Sequence, residues 1–341
     1  MEAWLWRALA AGLVLGLWKL SFLLAGESWQ VALCIPVGRK HEDRWQAVVL
    51  TWYGILSACA YTAATMVFFF LLTAAGASLA SVMAVTALVL GVCMPASRIV
   101  AGIVEGMRTT LTVGGAVFVA LFVAPGAAWI AQWLWGGAVW SVTLAAMGVA
   151  YALGEGVGRL ACCSFGCCYG RPVESLPQPW CRLVAPWAVS FGGATKKAAY
   201  ASSLEGVPLV PVQGMSAVVL TLAAWGGVEA LAVGRPDVAL VVAAALPQVW
   251  RVVSEMWRAD FRGFGRVSPY QRMAVAGAVW TMVLAWLAGP GTPIDLSQGW
   301  RVLGEPWAWV LWAAVGVASL LFTGLSRVLG GWVDIEIRQT S

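Results

Sequence analysis

Long apolar runs separated by short polar stretches dominate the chain. Each run has about the length that a helix needs to cross a bilayer, roughly 20 residues. The runs are too continuously apolar for the alternating strands of a membrane barrel, and a helix satisfies its own backbone polar groups in lipid. The pattern predicts an all-α polytopic integral membrane protein, a bundle of about eight or nine transmembrane helices. The predicted spans lie near residues 3–25, 46–72, 78–104, 112–131, 136–157, 212–233, 237–257, 270–289 and 306–329.

Two of these runs need a separate comment. The run 112–131 contains Pro125 and Gly126, so it is also compatible with a broken or re-entrant segment. The first run begins with Glu2, and its basic residue, Lys19, lies deep inside it. That arrangement is not typical of a secretory signal, and we expect a permanent helix there.

The composition excludes several classes of protein. Apolar residues make up 61% of the 341 residues and charged residues only 11%, against about a quarter in soluble domains. These proportions exclude a soluble enzyme, a disordered chain, a fibrous repeat and a small disulfide-rich scaffold. The formal net charge of +5 does not indicate a nucleic-acid partner. It fits either cytoplasmic loops near anionic lipid or an anionic substrate.

Three stretches interrupt the apolar pattern. Residues 26–45 carry charges of both signs and are typical of a solvated loop. Residues 159–211 form the longest segment that does not span, rich in cysteine, proline and arginine. Residues 251–272 carry five arginines. Because the second and third stretches hold most of the basic residues, either they mark the cytoplasmic side or they bind a ligand.

Arg251, Glu255 and Arg258 have a spacing that places them on one face of a helix. Ionised side chains on membrane helices are costly and usually face a cavity or one another. Two arginines around one glutamate leave a net positive charge, and guanidinium groups are suited to a phosphate. The alternative is the end of an interfacial helix whose side chains reach out to water.

The segment from Gly158 to Gly170 places glycines and four cysteines around Arg159. Glycine allows backbone N–H groups to approach an anion closely, so we expect Arg159 to lie in irregular backbone at the edge of the membrane. The Cys-Cys-x3-Cys-Cys spacing lacks the usual pairs of metal ligands. We therefore expect no metal ion or other cofactor, and favour buried packing cysteines over a disulfide.

Two further polar residues lie within apolar runs. Tyr53 follows Trp52, which alone would indicate an aromatic residue at the membrane interface. Arg98 lies inside a predicted span, where an arginine is costly, so it is a stronger candidate for a functional residue.

Together these segments resemble the prolipoprotein diacylglyceryl transferases, integral enzymes of the bacterial inner membrane. The matching segments are Trp52-Tyr53-Gly54, the stretch Gly158–Gly170, Val210-Pro211-Val212-Gln213 and the stretch Arg251–Asp260. They occur in the family's order and cover about residues 46–289. Residues 1–45 and 290–341 then supply an extra helix on each side of this core.

The resemblance implies a fold with a polar cavity for lipid headgroups and a transfer of diacylglyceryl from phosphatidylglycerol to an acceptor. The partners would be an anionic phospholipid donor and a lipoprotein or lipid acceptor. The implied catalytic residues are Tyr53, Arg159, Arg251 and Glu255. The implied substrate-binding residues are Arg98, Gly158, Tyr169, Gly170, Gln213 and Arg258.

The chain also departs from the family. Cys162 and Cys167 stand where the family has asparagine and glutamate, and Val210 stands where it has histidine. The only histidine is His41, which precedes the first core helix. A histidine is the natural group to deprotonate a thiol, so the acceptor is either a lipoprotein cysteine or a different molecule. The sequence offers Glu155, Glu205 and Tyr169 as other candidate bases. A non-catalytic lipid-binding protein and an unrelated transporter remain as alternatives.

Overall fold

The computed structural model describes residues 3–41, 44–105, 113–136, 138–261, 267–324 and 332–333. About 76% of it is helical, and every predicted apolar run overlaps a helix within these residues. In chain order the helices are α1 (Ala3–Leu23), α2 (Trp52–Ala74), α3 (Leu79–Glu105), α4 (Val113–Trp135), α5 (Trp140–Phe165), α6 (Gln178–Val184), α7 (Lys197–Ser202), α8 (Val212–Ala232), α9 (Pro236–Leu240), α10 (Leu246–Glu255), α11 (Pro269–Ala288) and α12 (Pro306–Thr323).

Within the described residues, six helices are long and apolar enough to cross a membrane. They are α2, the stretch Gly114–Trp135 of α4, α8, the continuous helix Pro236–Glu255, α11 and α12. Large apolar side chains cover the outside of the bundle, and Ile103, Trp133 and Trp286 are 75–81% exposed. An apolar exterior of this kind is costly in water and favourable in lipid. The chain is a mainly α-helical protein with the features of a multi-pass membrane protein.

Proline affects two of the spans differently. Helix α4 is continuous through Pro125, so the broken or re-entrant segment considered for 112–131 is not formed. Helices α9 and α10 are joined by a π-helical turn, Val241–Ala245, just before Pro247. Proline cannot donate the backbone hydrogen bond that an α-helix needs, and the wider turn accommodates it. Such turns are frequent near functional sites, and Arg251 lies one turn further along.

Helix α5 lies at the centre of the bundle, between α2 and α8. Its small residues permit this close packing. A Cβ added at Gly154 would lie 2.8 Å from the Cβ of Ala64 in α2, and one added at Gly156 would lie 2.8 Å from Oγ1 of Thr221 in α8. The central helix is therefore fixed on two sides, which fixes the polar side chains that it carries.

A β-hairpin replaces the solvated loop that we predicted for 26–45. Strand β1 (Val31–His41) pairs antiparallel with β2 (Arg44–Thr51), and β2 also pairs with β3 (Trp332–Val333). The prediction of a loop was wrong because β-branched and apolar residues flank the charged stretch 39–44 of the sequence on both sides. The apolar residues assigned to the start of a span at 46 belong to β2.

The end of the hairpin begins helix α2. The side chain of Thr51 accepts a hydrogen bond from the N–H of Gly54 at 3.2 Å and donates one to the carbonyl of Gly324 at 3.1 Å. The Cα of Gly324 would lie only 2.0 Å from a Cβ added at Gly54. The glycine of the Trp-Tyr-Gly segment is therefore required by packing against the end of α12, and the residues predicted to lie outside the core pack directly against it.

Candidate functional site

A buried carboxylate joins two of the predicted catalytic arginines. Glu155 in α5 is bound by Arg159, one helical turn away, and by Arg251 of α10, whose Nη2 donates to both carboxylate oxygens at 2.7 and 2.8 Å. The exposed fractions of the three side chains are 6%, 16% and 11% in that order. The structure thus brings Arg159 and Arg251 together, although they are 92 positions apart in the sequence.

Neutral side chains extend this cluster between α5 and α10. Gln248 of α10 donates from Nε2 at 3.0 Å to the hydroxyl of Tyr151, which lies one helical turn before Glu155 in α5. Buried charge is tolerated only where hydrogen bonds compensate for lost water. The hydrogen bonds from Arg159 and Arg251 hold the carboxylate in one position between its two guanidinium partners.

Arg159 lies within helix α5, which continues to Phe165, and not in irregular backbone as we predicted. Helix α5 extends eight residues beyond the predicted end of its span. The change matters because Glu155 and Arg159 are then neighbours on one helical face. The Nε atom of Arg159 is buried and has no hydrogen-bond partner among the described residues.

The spacing predicted that Arg258 shares a helical face with Arg251 and Glu255. The structure contradicts this prediction. Helix α10 ends at Glu255, and Arg258 follows in extended backbone that forms a bridge with Gly170. Its guanidinium group binds both oxygens of Asp260 at 2.7 Å. Burial raises the pKa of Asp260 to about 6, although Arg258 opposes the rise.

The cysteine segment forms a tight turn at the end of α5. Gly166 adopts a left-handed conformation, its N–H bonds to the carbonyl of Cys163, and the N–H of Cys167 bonds to the carbonyl of Cys162 at 3.1 Å. This is the Schellman arrangement, which ends helices at a left-handed glycine. The next residue, Cys168, is also left-handed, with φ 57°.

The turn gathers three sulfur atoms. The Sγ atoms of Cys162, Cys167 and Cys168 lie within 4.8 Å of one another, and all three residues are half-buried. The thiols of Cys162 and Cys167 lower the pKa of Cys168 by hydrogen bonding, and the guanidinium groups of Arg258 and Arg159 lower it further. The spacing of the cysteines in the sequence did not predict this cluster.

Tyr53 joins the same region from the start of α2. Its ring packs edge-on against Phe165, with ring centres 5.8 Å apart. Phe165 is the last residue of α5 and directly precedes Gly166 of the cysteine turn. Of the four predicted catalytic residues, Tyr53, Arg159 and Arg251 therefore lie around one site, which we call the arginine–cysteine site together with Glu155, Arg258 and the three cysteines.

The fourth predicted catalytic residue has a different contact. Glu255 accepts a hydrogen bond from the hydroxyl of Ser268, at the start of α11. The arginine partner that the sequence suggested for Glu255 is taken by Glu155. Arg98 lies in α3, but its side chain is outside the described residues.

Two of the predicted substrate-binding glycines have structural roles. Gly158 lies inside α5, where its backbone N–H is part of the helix, so it does not offer an N–H to an anion as we predicted. A Cβ added at Gly170 would lie 2.2 Å from the carbonyl oxygen of Val210. Gly170 is therefore needed for the close approach of two segments that position Arg258.

Tyr169 and Gln213 are buried around the cysteine turn. Tyr169 is 1% exposed, and its hydroxyl bonds to Ser202 at 2.6 Å. Gln213 is also 1% exposed and donates from Nε2 to the carbonyl of Cys167 at 2.9 Å. These contacts anchor the cysteine turn and the residue that follows it, so both residues help to position the site.

Lys196 is a buried residue that the sequence analysis missed. Its side chain is fully buried and donates to the carbonyls of Leu24 at 3.1 Å and Ser164 at 2.6 Å. Burial lowers the pKa of Lys196 to about 8. No pattern around it predicts burial, because the surrounding segment is irregular. The partnership of Glu155 with Arg159, in contrast, was visible in their spacing of four residues.

The other residues considered as bases are already engaged. Glu155 is held by two arginines, Glu205 accepts a hydrogen bond from the N–H of Gly193 at 2.9 Å, and Tyr169 bonds to Ser202.

Comparison of the chain with protein families finds no family model that matches it, and comparison with curated proteins finds no match.

Proposed function

We propose that the protein is a transferase of the bacterial inner membrane, built on eight or nine membrane-spanning helices. It moves a diacylglyceryl group from phosphatidylglycerol or a related anionic phospholipid to an acceptor, and binds the phospholipid headgroup in a polar cavity at the arginine–cysteine site. The resemblance to the prolipoprotein diacylglyceryl transferases supports this proposal through the four segments named above. The arrangement of the arginines supports it independently.

The observation that carries the proposal is the surplus of positive charge around one buried carboxylate. Arg159 and Arg251 share Glu155, so the trio carries one net positive charge in a region shielded from water. A buried charge without full compensation is costly, and a buried donor without a partner, such as Nε of Arg159, adds to the cost. A phosphodiester would supply both the missing negative charge and the missing acceptor.

The same charges suit the chemistry of the transfer. When an acceptor attacks the glyceryl carbon next to the phosphate, the carbon–oxygen bond breaks and glycerol phosphate leaves with an additional negative charge. Fixed cationic donors that meet this developing charge lower the barrier. Arg159 and Arg251 are fixed by Glu155, and Arg258 by Asp260, so little reorganisation is needed during the reaction.

The test is incubation of the purified protein with phosphatidylglycerol labelled in its glycerol headgroup, measuring released glycerol phosphate. We expect Arg159→Ala and Arg251→Ala each to reduce release at least about tenfold to a hundredfold, since a charge-assisted hydrogen bond contributes about 1.5–3 kcal/mol. Lysine should restore little, because it lacks the planar fork of arginine.

Arg235→Ala is the matched control. Arg235 also binds a carboxylate, that of Asp237, but it is 48% exposed and lies at the start of α9. Its loss should leave release unchanged. Full activity of the Arg159→Ala and Arg251→Ala proteins would contradict the assignment of the phosphate site.

A second candidate is a protein that binds anionic phospholipid without cleaving it. The observation in its favour is that the chain's only histidine, His41, lies at the end of strand β1, so no imidazole is available to the arginine–cysteine site from helices α5 and α10. Lipid that binds in an arginine-dependent manner without release of glycerol phosphate would favour this candidate.

A further inference from the structure

The three sulfur atoms of the cysteine turn are brought together by features that do not depend on the usual spacing of metal ligands. In a Schellman motif the residue after the left-handed glycine contacts the residue five positions earlier, and here these are Cys167 and Cys162. Side chains of adjacent residues normally diverge. The left-handed backbone of Cys168 instead leaves its sulfur beside the other two.

The surroundings of the turn hold it in this form. Gln213 binds the carbonyl of Cys167, and the N–H of Ala259 bonds to the carbonyl of Tyr169 at 3.0 Å. A left-handed conformation is costly for a residue other than glycine and persists only when its surroundings impose it. Side chains kept close at such a cost point to a function for the cluster.

We propose that Cys162, Cys167 and Cys168 bind a zinc ion whose fourth ligand is the thiol of the acceptor. The inference rests on the proposed transferase function and adds to it the group that activates a thiol acceptor. The zinc ion would take the place of the histidine base that this chain lacks, because a thiol that coordinates zinc is deprotonated without a separate base.

The geometry suits zinc. A tetrahedral ion with zinc–sulfur bonds of about 2.3 Å holds its sulfurs roughly 3.8 Å apart, and the three Sγ atoms already lie within 4.8 Å of one another. Three protein ligands with the fourth position left to water or substrate is the usual pattern of catalytic zinc. The three cysteines are half-buried.

The charges also suit zinc. A divalent ion with three thiolates carries one net negative charge, and a fourth thiolate adds a second. Arg159 lies three residues before Cys162 on α5, and Arg258 is bridged to Gly170, two residues after Cys168, so both guanidinium groups are placed to stabilise the anionic complex. The same two guanidinium groups lie where the phosphate of the donor is proposed to bind, which places the thiol ligand and the donor lipid side by side.

The step balances without an oxidant or reductant. The acceptor thiol binds zinc and loses its proton to water. Its sulfur then forms a bond to the glyceryl carbon, the bond from that carbon to the phosphate oxygen breaks, and glycerol phosphate leaves with the electron pair. The product is a thioether, which binds zinc weakly compared with a thiolate and is released.

The experiment measures metal binding directly in the full-length protein in detergent. Cobalt(II) replaces zinc as a coloured probe, because thiolate ligands give it an intense charge-transfer absorption and tetrahedral coordination strengthens its visible bands. We expect stoichiometric zinc after purification, a cobalt–thiolate spectrum after exchange, and a change in that spectrum when a small cysteine-containing peptide is added.

Serine variants identify the ligands. We expect Cys162→Ser, Cys167→Ser and Cys168→Ser each to lose stoichiometric zinc and the thiolate absorption. Cys163→Ala and Cys181→Ser are the matched controls, because Cys163 packs into an apolar cluster next to Cys162 and Cys181 lies on α6. Both should keep the metal and the spectrum.

The outcomes separate this inference from the proposed function. The inference is overturned if the folded wild-type protein takes up neither zinc nor cobalt, or if added thiol does not change its cobalt spectrum. This holds even if arginine-dependent release of glycerol phosphate persists. Metal binding that responds to thiol, with no release of glycerol phosphate, supports the site and overturns the transferase. The zinc measurement on the wild-type protein does not depend on whether any variant folds.

Discussion

Replacing Glu155 with glutamine tests the central ion-pair cluster. The substitution keeps the size of the side chain but removes the negative charge that Arg159 and Arg251 share. Glutamine offers one oxygen where the carboxylate offered two, and its amide group points donors at a guanidinium group. The two arginines would then repel each other within a region shielded from water.

The structure sets the size of the effect. Glu155 and Arg251 are 6% and 11% exposed, so water cannot readily replace the lost partner. Removing one member of a buried ion pair costs about 3–5 kcal/mol, because a buried charge is left without compensation. We expect the free energy of unfolding of Glu155→Gln to fall by about this amount relative to wild type.

The assay is unfolding in mixed micelles, followed by circular dichroism, with and without phosphatidylglycerol. Added anionic lipid should restore part of the lost stability in Glu155→Gln, because its phosphate takes the place of the carboxylate and a ligand stabilises the state that binds it. Zwitterionic lipid should not. The control is Glu229→Gln, since Glu229 accepts a hydrogen bond from the Trp225 indole. A Glu155→Gln protein as stable as wild type would refute the argument.

Three further predictions concern packing and ionisation. Gly54→Ala should strongly reduce folded yield, measured by size-exclusion chromatography, because its Cβ would lie 2.0 Å from the Cα of Gly324; normal yield would contradict the packing. Gly114→Ala should lower both the release of glycerol phosphate and the stability, because its Cβ would lie 3.0 Å from Nη1 of Arg251 and 3.0 Å from Cδ1 of Tyr270; unchanged release would count against it. Lys196→Met removes a lysine whose pKa burial lowers from 10.5 to about 8. Between about pH 8 and 10.5 the unfolded protein binds more protons at this lysine than the folded protein does. The free energy of unfolding of the wild type should therefore rise with pH across this range. The free energy of unfolding of Lys196→Met should lack this rise. The same pH dependence in both proteins would contradict the prediction.

The sequence determined the helical architecture because lipid imposes a length. A run of about 20 apolar residues is required to cross the hydrocarbon core, so the positions of the helices follow from local composition. In the part of the chain that the structure describes, each of the nine predicted runs overlaps a helix, and six helices are long and apolar enough to cross a membrane. The pairing of β1 with β2 was missed because the charged residues between the apolar stretches suggested a loop, although those stretches favour strands.

The sequence also identified most residues of the arginine–cysteine site, but not their partners. Ionised side chains are rare in membrane helices and usually functional, so Arg159, Arg251 and Arg258 were predicted as residues of the site. The spacing of Arg251, Glu255 and Arg258 suggested one shared face. The end of α10 at Glu255 removes Arg258 from that face, because a periodicity argument holds only while the helix continues.

Only the tertiary structure decided which charges meet. Glu155 and Arg251 are separated by 96 residues, and their contact depends on how α5 packs against α10. The three cysteines are close in sequence, yet their sulfurs converge only because α5 ends in a left-handed glycine and the following backbone stays left-handed at Cys168. Hydropathy fixes where a helix runs, because burial in lipid depends on composition. The pairing of polar groups depends on directional contacts between distant segments, which composition does not encode.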